Sequence, residues 1–455
     1  MRRRRFGLVS ALALTLGSAV FWGLAHACMG RIRAALGLLI AQATIVATVL
    51  MGVTVLRYRL LPLAVRPGWL MGLIVGTILV AAIWVAVVIW SYRAVRPTGV
   101  GGARNVIAGV AVGLLCVLVI APFAYASRLA YVSRDVLTTL FGQGDGAVSW
   151  QGRSRVTFLL IGADAGKDRY GARTDSMTVA SVDTRTGHTV LFGLPRNLQR
   201  VPLPPGPARQ AFPFGFTGDG SALTPGLLNE VYQWAEDHPS IVPGVPRGHR
   251  GIKLLKETVA GILGVPIDYY AMVDMKGFAA LVDAVGGVTI TVAHDIPYGQ
   301  QGAVLRAGTR RLSGREALWY GRSRTDSDDY VRMARQKCLL NALVKQADPA
   351  TVLRGFEEIA EATKRYVSTD LPGDLLPTLV ELADRARRTQ IESLQFVPPL
   401  INTAAPDWSL IRRKVATALA DRPRHAAASP APAPNTGPRA NPSADGAIRL
   451  DSACG

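Results

Sequence analysis

The chain has 455 residues, long enough for more than one domain. Its 51 basic and 32 acidic residues leave it at +19, but residues 1–150 alone hold fourteen Arg, no Lys and only Asp135 and Asp145 as acids, a local +12. That basic third is also the apolar one, so its charge is a membrane-topology signal and gives no support to a nucleic-acid-binding reading.

Three runs, 34–56, 69–90 and 106–126, carry no charge and exceed the ~20 residues a bilayer core needs. A fourth, 7–30, includes Ser10, Thr15, Ser18, His26 and four glycines. It reads as an extra span, a signal-like segment or an interfacial helix. No spacer separates it from the next span, which disfavours a cleaved signal peptide. With three spans and a cytoplasmic N-terminus, nine arginines lie inside and Arg57, Arg59 and Arg66 outside. That obeys the positive-inside bias and puts everything after Ala126 outside. Four spans would leave seven arginines inside, five outside and the large domain in the cytoplasm. The three-span arrangement is preferred. Residues 1–126 are then the membrane region, 127–152 a connector, 153–425 an extracytoplasmic domain and 426–455 a Pro/Ala-rich tail, flexible or extended.

The domain opens on VTFLLIGAD, a buried strand delivering Asp164 at its C-terminal end. Ligands of open α/β sheets sit at such ends. SMTVASVD and HTVLFGLP follow as strands joined by a TRTG hairpin turn. Asp164, Arg173, Asp175 and Arg196 thus fall at strand ends or in adjoining loops. Asp164 and Asp175 suit Mg²⁺, and equally suit turn capping or pairing with Arg169 and Arg173. Residues 198–250, rich in Pro and Gly, predict a long excursion holding one helical piece near 227–236. His238 and His249 are isolated loop histidines without metal-ligand spacing. A helix at 252–263, a strand at 267–275, a helix at 278–285 and a strand at 286–292 then alternate, arguing an α/β sheet with helices on its faces. Gly286 and Gly287 make the turn leaving the second helix. Beyond lie helical patterns at 336–345, 350–365 and 374–386, a last strand in IESLQFVPP and a final helix at 408–420.

The densest chemistry is in WYGRSRTDSDDYVRMARQ, residues 319–336. Arg322 and Arg324, two apart, share one face of an extended segment. Arg332, Arg335 and Gln336 share one face of a helix. Two like charges about 4 Å apart repel by about 4 kcal/mol at an effective dielectric near 20, so the cluster needs an anion. Asp326, Asp328 and Asp329 supply one answer, a surface ion-pair network. A polyanion such as a pyrophosphate supplies the other, and the planar guanidinium fork suits it.

Taken in order, LLIGADAG, GARTDSM, LPRN, IDYYAMVDMKGFAALVDAVGGV and LSGREALWYGRSRTDSDDYVRMARQ resemble the LytR–CpsA–Psr family of cell-wall glycopolymer transferases, over residues 156–399. The resemblance implies an α/β domain with a central mixed sheet flanked by helices, carried behind N-terminal transmembrane helices. It implies a membrane-anchored phosphotransferase that takes a polyprenyl-pyrophosphate-linked glycan, with Mg²⁺ or Mn²⁺, and transfers sugar phosphate to a peptidoglycan hydroxyl. By motif position Asp164 and Asp175 are the metal ligands it implies. Arg173, Arg196, Arg322, Arg324, Arg332, Arg335 and Gln336 are the implied pyrophosphate clamp, and the lipid is expected in an apolar tunnel. The sequence departs from the family after LPR, where Asn197 replaces the usual Asp. Asn197 is expected to keep an orienting hydrogen bond and lose the charge, with Asp329 the alternative carboxylate at the acceptor hydroxyl. A pyrophosphate-hydrolysing or glycolipid-binding protein and a membrane-bound regulator are the competing functions. Cys28 and Cys116 fall in apolar segments, while Cys338 and Cys454, in the exterior domain, are expected to pair.

Overall fold

The structure is a computed structural model. It describes residues 7–54, 66–97, 102–141, 150, 152–164, 173–221, 224–298, 303–323, 329–346, 356–389, 391–420 and 448–449. The chain divides into two compact units, Met1–Thr139 and Leu140–Gly455.

The first unit is helical: α1 (Leu8–Val20), α2 (Leu24–Cys28), α3 (Ile32–Thr54), α4 (Pro67–Val95) and α5 (Gly102–Phe141). Three helices, α3, α4 and α5, are long and apolar enough to cross a membrane among the described residues. The fourth apolar run is not one helix. It breaks at Phe21–Gly23, where Gly23 takes φ 93° and a Cβ would stand 2.6 Å from the Ala35 carbonyl. Neither piece reaches the ~20 residues of a span. The expected connector, 127–152, begins as helix. SRLAYVSRDVLTTLF holds no Gly or Pro, and α5 continues through it to Phe141.

The second unit is built on a seven-stranded sheet, ordered β11-β10-β3-β2-β1-β4-β9. The strands are β1 (Arg155–Asp164), β2 (Arg173–Asp183), β3 (Thr189–Leu194), β4 (Tyr269–Asp274), β9 (Val367–Thr369), β10 (Ile391–Gln395) and β11 (Ile448–Arg449). β1 with β4 and β3 with β10 run parallel and the other neighbours antiparallel, so the sheet is mixed. The tail expected to be flexible or extended thus contributes β11 at the sheet edge. The rest of the tail, 426–447 and 450–455, lies outside the described residues.

The period-2 alternation of strands explains why β1 is apolar on both faces. Leu159, Ile161, Met177 and Val179 pack into one core with α6 (Val231–Asp237), α7 (Arg250–Leu263) and α13 (Trp408–Ala420). Leu160, Gly162, Thr178, Ala271 and Val273 face the other way, into a cavity. A second core closes that side. It joins α8 (Met275–Ala284), the hairpin pair β5 (Val288–Val292) and β8 (Gly308–Leu312), α9 (Gly314–Arg322) and α10 (Asp329–Gln346). A small β6 (Ile296–Tyr298) and β7 (Ala303–Leu305) ribbon lies between β5 and β8 in sequence. Gly314 lets α9 start against α8, since a Cβ there would sit 1.9 Å from the Ala279 carbonyl oxygen. α11 (Phe356–Tyr366) and α12 (Leu376–Arg387) precede β9 and β10 respectively.

Candidate functional site

The cavity has a volume of about 790 Å³ and lies between the sheet and α8, α9 and α10. Its apolar wall comes from Leu160, Ala271, Val273, Phe278, Leu318 and Leu339, and cations gather at the strand ends. The local backbone explains how they get there. β1 and β2 pair Gly162 with Ser176 and then Ala163 with Thr174, leaving Asp175 as the extra residue of a β-bulge. A bulge re-aims its side chain and ends regular pairing, a device common beside functional sites. Asp175 Oδ1 accepts from Arg196 Nη1 at 2.8 Å, both side chains being largely buried. Its backbone carbonyl accepts from Arg332 Nη2 at 3.3 Å. The bulge therefore ties the ends of β2 and β3 to α10.

Arg173, Asp175, Arg196, Arg322, Arg332 and Gln336 all line the cavity. Three distant blocks of sequence meet there. Arg322 is not in an extended segment as its spacing suggested. It is the last residue of α9, a helix started by a capping box in which Ser313 and Glu316 satisfy each other's backbone. Gln336 Nε2 donates to the Gly321 carbonyl at 3.0 Å and fixes α10 against the end of α9. Arg332 and Gln336 share the cavity face, but Arg335 turns aside. Its Nη2 stands 3.2 Å from His294 Nε2 and its guanidinium lies 5.6 Å from the centre of the Tyr320 ring. The helical face is the one expected, and its middle member lies just off the cavity wall.

Other expected residues sit at the border of what is described. Asp164 ends β1 opposite Arg173, and its side chain lies outside the described residues. So does that of Asp329, the first residue of α10. Arg324, Asp326 and Asp328 lie outside the described residues altogether. Asn197 follows Arg196, and its Oδ1 is buried with no hydrogen-bond partner among the described residues. Cys338 on α10 is disulfide-bonded and Cys28 and Cys116 are free, while Cys454 lies outside the described residues.

Two acids escaped the sequence reading. Glu230 is almost fully buried beside β2, where its Oε2 accepts from the amides of Gly226 and Leu227. Burial pushes its carboxyl up, and those amides and the Arg173 charge pull back. It is a buried carboxyl that feels the Arg173 charge. Nothing in LLNEVY marks it. Asp274 ends β4, beside β1, and lines the cavity while its Oδ1 caps α8 by accepting from Gly277 N at 2.6 Å. The strand-end rule that singled out Asp164 applies to it equally. Among the described residues no three His, Cys, Asp or Glu side chains gather as a metal site.

Fold and site together define an α/β domain whose cavity joins a hydrocarbon wall to a ring of guanidiniums, with carboxylates on neighbouring strand ends. The chain belongs to the LytR_cpsA_psr family, whose profile matches residues 133–405. Over 221 residues it is 28% identical to polyisoprenyl-teichoic acid–peptidoglycan teichoic acid transferase TagU of Bacillus cereus, covering 48% of this chain and 61% of that one. The namesake from Enterococcus faecalis is 26% identical over 270 residues, 58% and 78% of the two chains. The chain thus spans under two thirds of the Bacillus relative. Among solved structures, that of B. subtilis TagV aligns with a TM-score of 0.41 at 23% identity, covering 59% of this chain and 96% of that one.

Proposed function

We propose that this protein moves a glycan phosphate from a polyprenyl-pyrophosphate carrier to a hydroxyl of peptidoglycan, from a domain held outside the membrane by three spans. The observation that carries the proposal is the joined chemistry of one cavity. Leu160, Val273, Phe278 and Leu339 suit a prenyl chain, and Arg173, Arg196, Arg322 and Arg332 suit the diphosphate beside it. Phosphoryl transfer asks a protein mainly to position groups and to neutralise dispersed charge. Guanidinium forks on rigid elements do both. In the step, the acceptor oxygen attacks the sugar-bearing phosphorus and the bond to the second phosphate breaks. Polyprenyl monophosphate leaves, and the hydroxyl proton passes to a base or to water. The arginines would hold the charge of the leaving phosphate. The teichoic acid transfer named for the relatives supports this reading.

The donor set at the bulge fits a hard divalent cation. Asp175 keeps Oδ2 clear of hydrogen bonds among the described residues while Oδ1 pairs with Arg196, and Asp164 ends the adjacent strand. These two would hold Mg²⁺, which when bound supplies charge neutralisation at the phosphate oxygens.

One observation favours the competing hydrolytic or binding-only reading. Position 197 offers an amide where the family offers a carboxylate, so no base is assigned there. Full-length protein in nanodiscs with Mg²⁺, a short polyprenyl-pyrophosphate glycan and peptidoglycan fragments separates the two. A new phosphodiester on peptidoglycan, seen by mass spectrometry, is the expected product. Free sugar phosphate alone would establish hydrolysis, and an unchanged donor would leave binding. Protease shaving of intact cells tests the exterior location of the domain.

A further inference from the structure

The first apolar run breaks into α1 and α2 in a way that suits hydrocarbon and not water. α1 lies along α4 in the opposite direction, with Ala11 packed against Val95 and Ala19 against Val88. A helix laid along a spanning helix does not rest flat in the interface. Nor does it cross, since 13 residues reach about 20 Å against a bilayer core of about 30 Å. Instead the chain reverses at Phe21–Gly23, and α2 brings Ala25 back beside Ala11 and Val95. Both arms therefore end at the same end of α4.

A reversal frees backbone groups, and inside a bilayer no water satisfies them. Here side chains do. Gln42 on α3 donates from Nε2 to the Val20 carbonyl at 2.6 Å and accepts from Trp22 N at 2.9 Å. Trp84 on α4 donates from Nε1 to the Ala19 carbonyl at 2.9 Å. Ser18 Oγ accepts from Ala25 N at 2.8 Å. Around these bonds the tip is apolar and open, with Val20 57% and Phe21 62% exposed and Leu16 and Leu24 exposed beside them. A turn facing water shows the reverse, polar side chains outward and backbone left to solvent. Two rulers give the depth. On α3 the tip meets Ala35 and Gln42, three and ten residues past Ile32. On α4 it meets Val88 and Trp84, seven and eleven residues before Val95. At 1.5 Å per residue both place the tip about 10–15 Å from those helix ends, within the hydrocarbon and no deeper than its middle. Arg31, Arg33, Arg93 and Arg96 mark the same ends as one basic face.

We propose that α1 and α2 form a re-entrant hairpin. It enters the bilayer from the basic face, turns in the hydrocarbon with its tip pinned by Gln42 and Trp84, and leaves by the same face. The run then adds no crossing to the three long helices. The inference rests on the membrane-spanning reading of α3 and α4. The test uses full-length protein in phosphatidylcholine nanodiscs, with Cys28→Ser and Cys116→Ser removing the free thiols. Spin labels are placed by Val9→Cys, Leu16→Cys and Phe21→Cys, and by Ile40→Cys on α3 as the reference, all at exposed positions. Depth is read from relaxation by oxygen against a water-soluble nickel chelate. It should increase from Val9 through Leu16 to Phe21, with Phe21 matching Ile40. A Phe21 label at headgroup depth beside a deep Ile40 would overturn the hairpin alone, and a water-exposed Ile40 would remove the spans. Gln42→Leu combined with Trp84→Phe should draw the Phe21 label toward the headgroups, and an unchanged depth would overturn the pinning. Gly7→Cys and Met29→Cys, one at each end of the hairpin, should react with an impermeant maleimide in inside-out vesicles and not in intact cells. Reaction from opposite faces would make the run a span, and reaction of both in intact cells would overturn the assigned face.

Discussion

Replacing Lys337 by Met should stabilise the domain at neutral pH and destabilise it at high pH. Lys337 sits on α10 between Arg335 and Cys338, 5% exposed, and its Nζ donates to Ser393 Oγ on β10. Burial pushes its pKa down from 10.5 to about 7. At about 1.4 kcal/mol per unit, the full shift is worth about 5 kcal/mol against the folded state. The sign follows from which state holds the proton more tightly. The unfolded chain does, so the penalty is complete below pH 7, fades between about 7 and 10.5, and is absent above. Met removes the penalty but leaves the Ser393 hydroxyl without its partner, at about 1–3 kcal/mol. The net gain near pH 7 is then about 2–4 kcal/mol, or roughly 5–10 °C in Tm. Above pH 10.5 only the loss remains and the order of stabilities inverts. Thermal unfolding followed by near-UV circular dichroism at intervals from pH 6 to pH 11 reads both limbs. A difference between wild type and variant that does not change with pH would refute the reasoning.

Asp175→Asn should lower kcat/KM about 100-fold, because it removes a carboxylate paired with the Arg196 guanidinium and proposed to hold the metal; activity equal to wild type in a donor-consumption assay would contradict the assignment. Gly314→Ala should cost about 1–3 kcal/mol by forcing α9 away from the Ala279 carbonyl, seen as a lower Tm. Cys338→Ser should destabilise by about 2–5 kcal/mol, Cys454→Ser should match it if the two are joined, and a Cys338 thiol that alkylates in native, unreduced protein would refute the bond. Asn197→Asp is expected to retain or raise transfer, and a sharp loss of activity would show that the amide is required.

The strands were legible because burial on both faces leaves an unmistakable apolar run. VTFLLIGAD could be only a central strand, and its alternate residues now divide between a packed core and a cavity wall. The hairpin after it, and the helix and strand either side of Gly286–Gly287, follow from turn chemistry at short range. Those two glycines take φ 80° and 88°, as a tight turn requires. Other features depended on groups far away in sequence. Spacing of two suggested that Arg322 and Arg324 lay on extended chain, yet the S-x-x-E of Ser313 and Glu316 already announced a helix that would run on to Arg322. Spacing alone grouped Arg335 with Arg332 and Gln336, and only His294 and Tyr320, arriving from other elements, decide where its guanidinium rests. The bulge that turns Asp175 arises from the pairing of β1 with β2 and has no local signature. Glu230 is invisible for the same reason, since its burial is conferred by β2 packing over a loop.

The same helix shows how two kinds of buried cation are resolved differently. α10 places Arg332, Arg335 and Lys337 within six residues, at 2%, 6% and 5% exposure. Lysine can discharge the cost of burial by releasing its proton, so Lys337 can rest against a hydroxyl with no anion near it. Arginine cannot, because its guanidinium stays charged at any accessible pH. Arg335 is held by an imidazole and an aromatic face, and its Nη1 has no hydrogen-bond partner among the described residues. Such an arrangement stabilises a guanidinium only in part. Burial is therefore only partly compensated at Arg335 and, near and below pH 7, costs stability at Lys337. An anion entering the cavity would meet Arg332, which lines it, and would leave Lys337 untouched. Stability that depends on added anion through Arg332, and on pH through Lys337, would separate a binding role of α10 from its packing role.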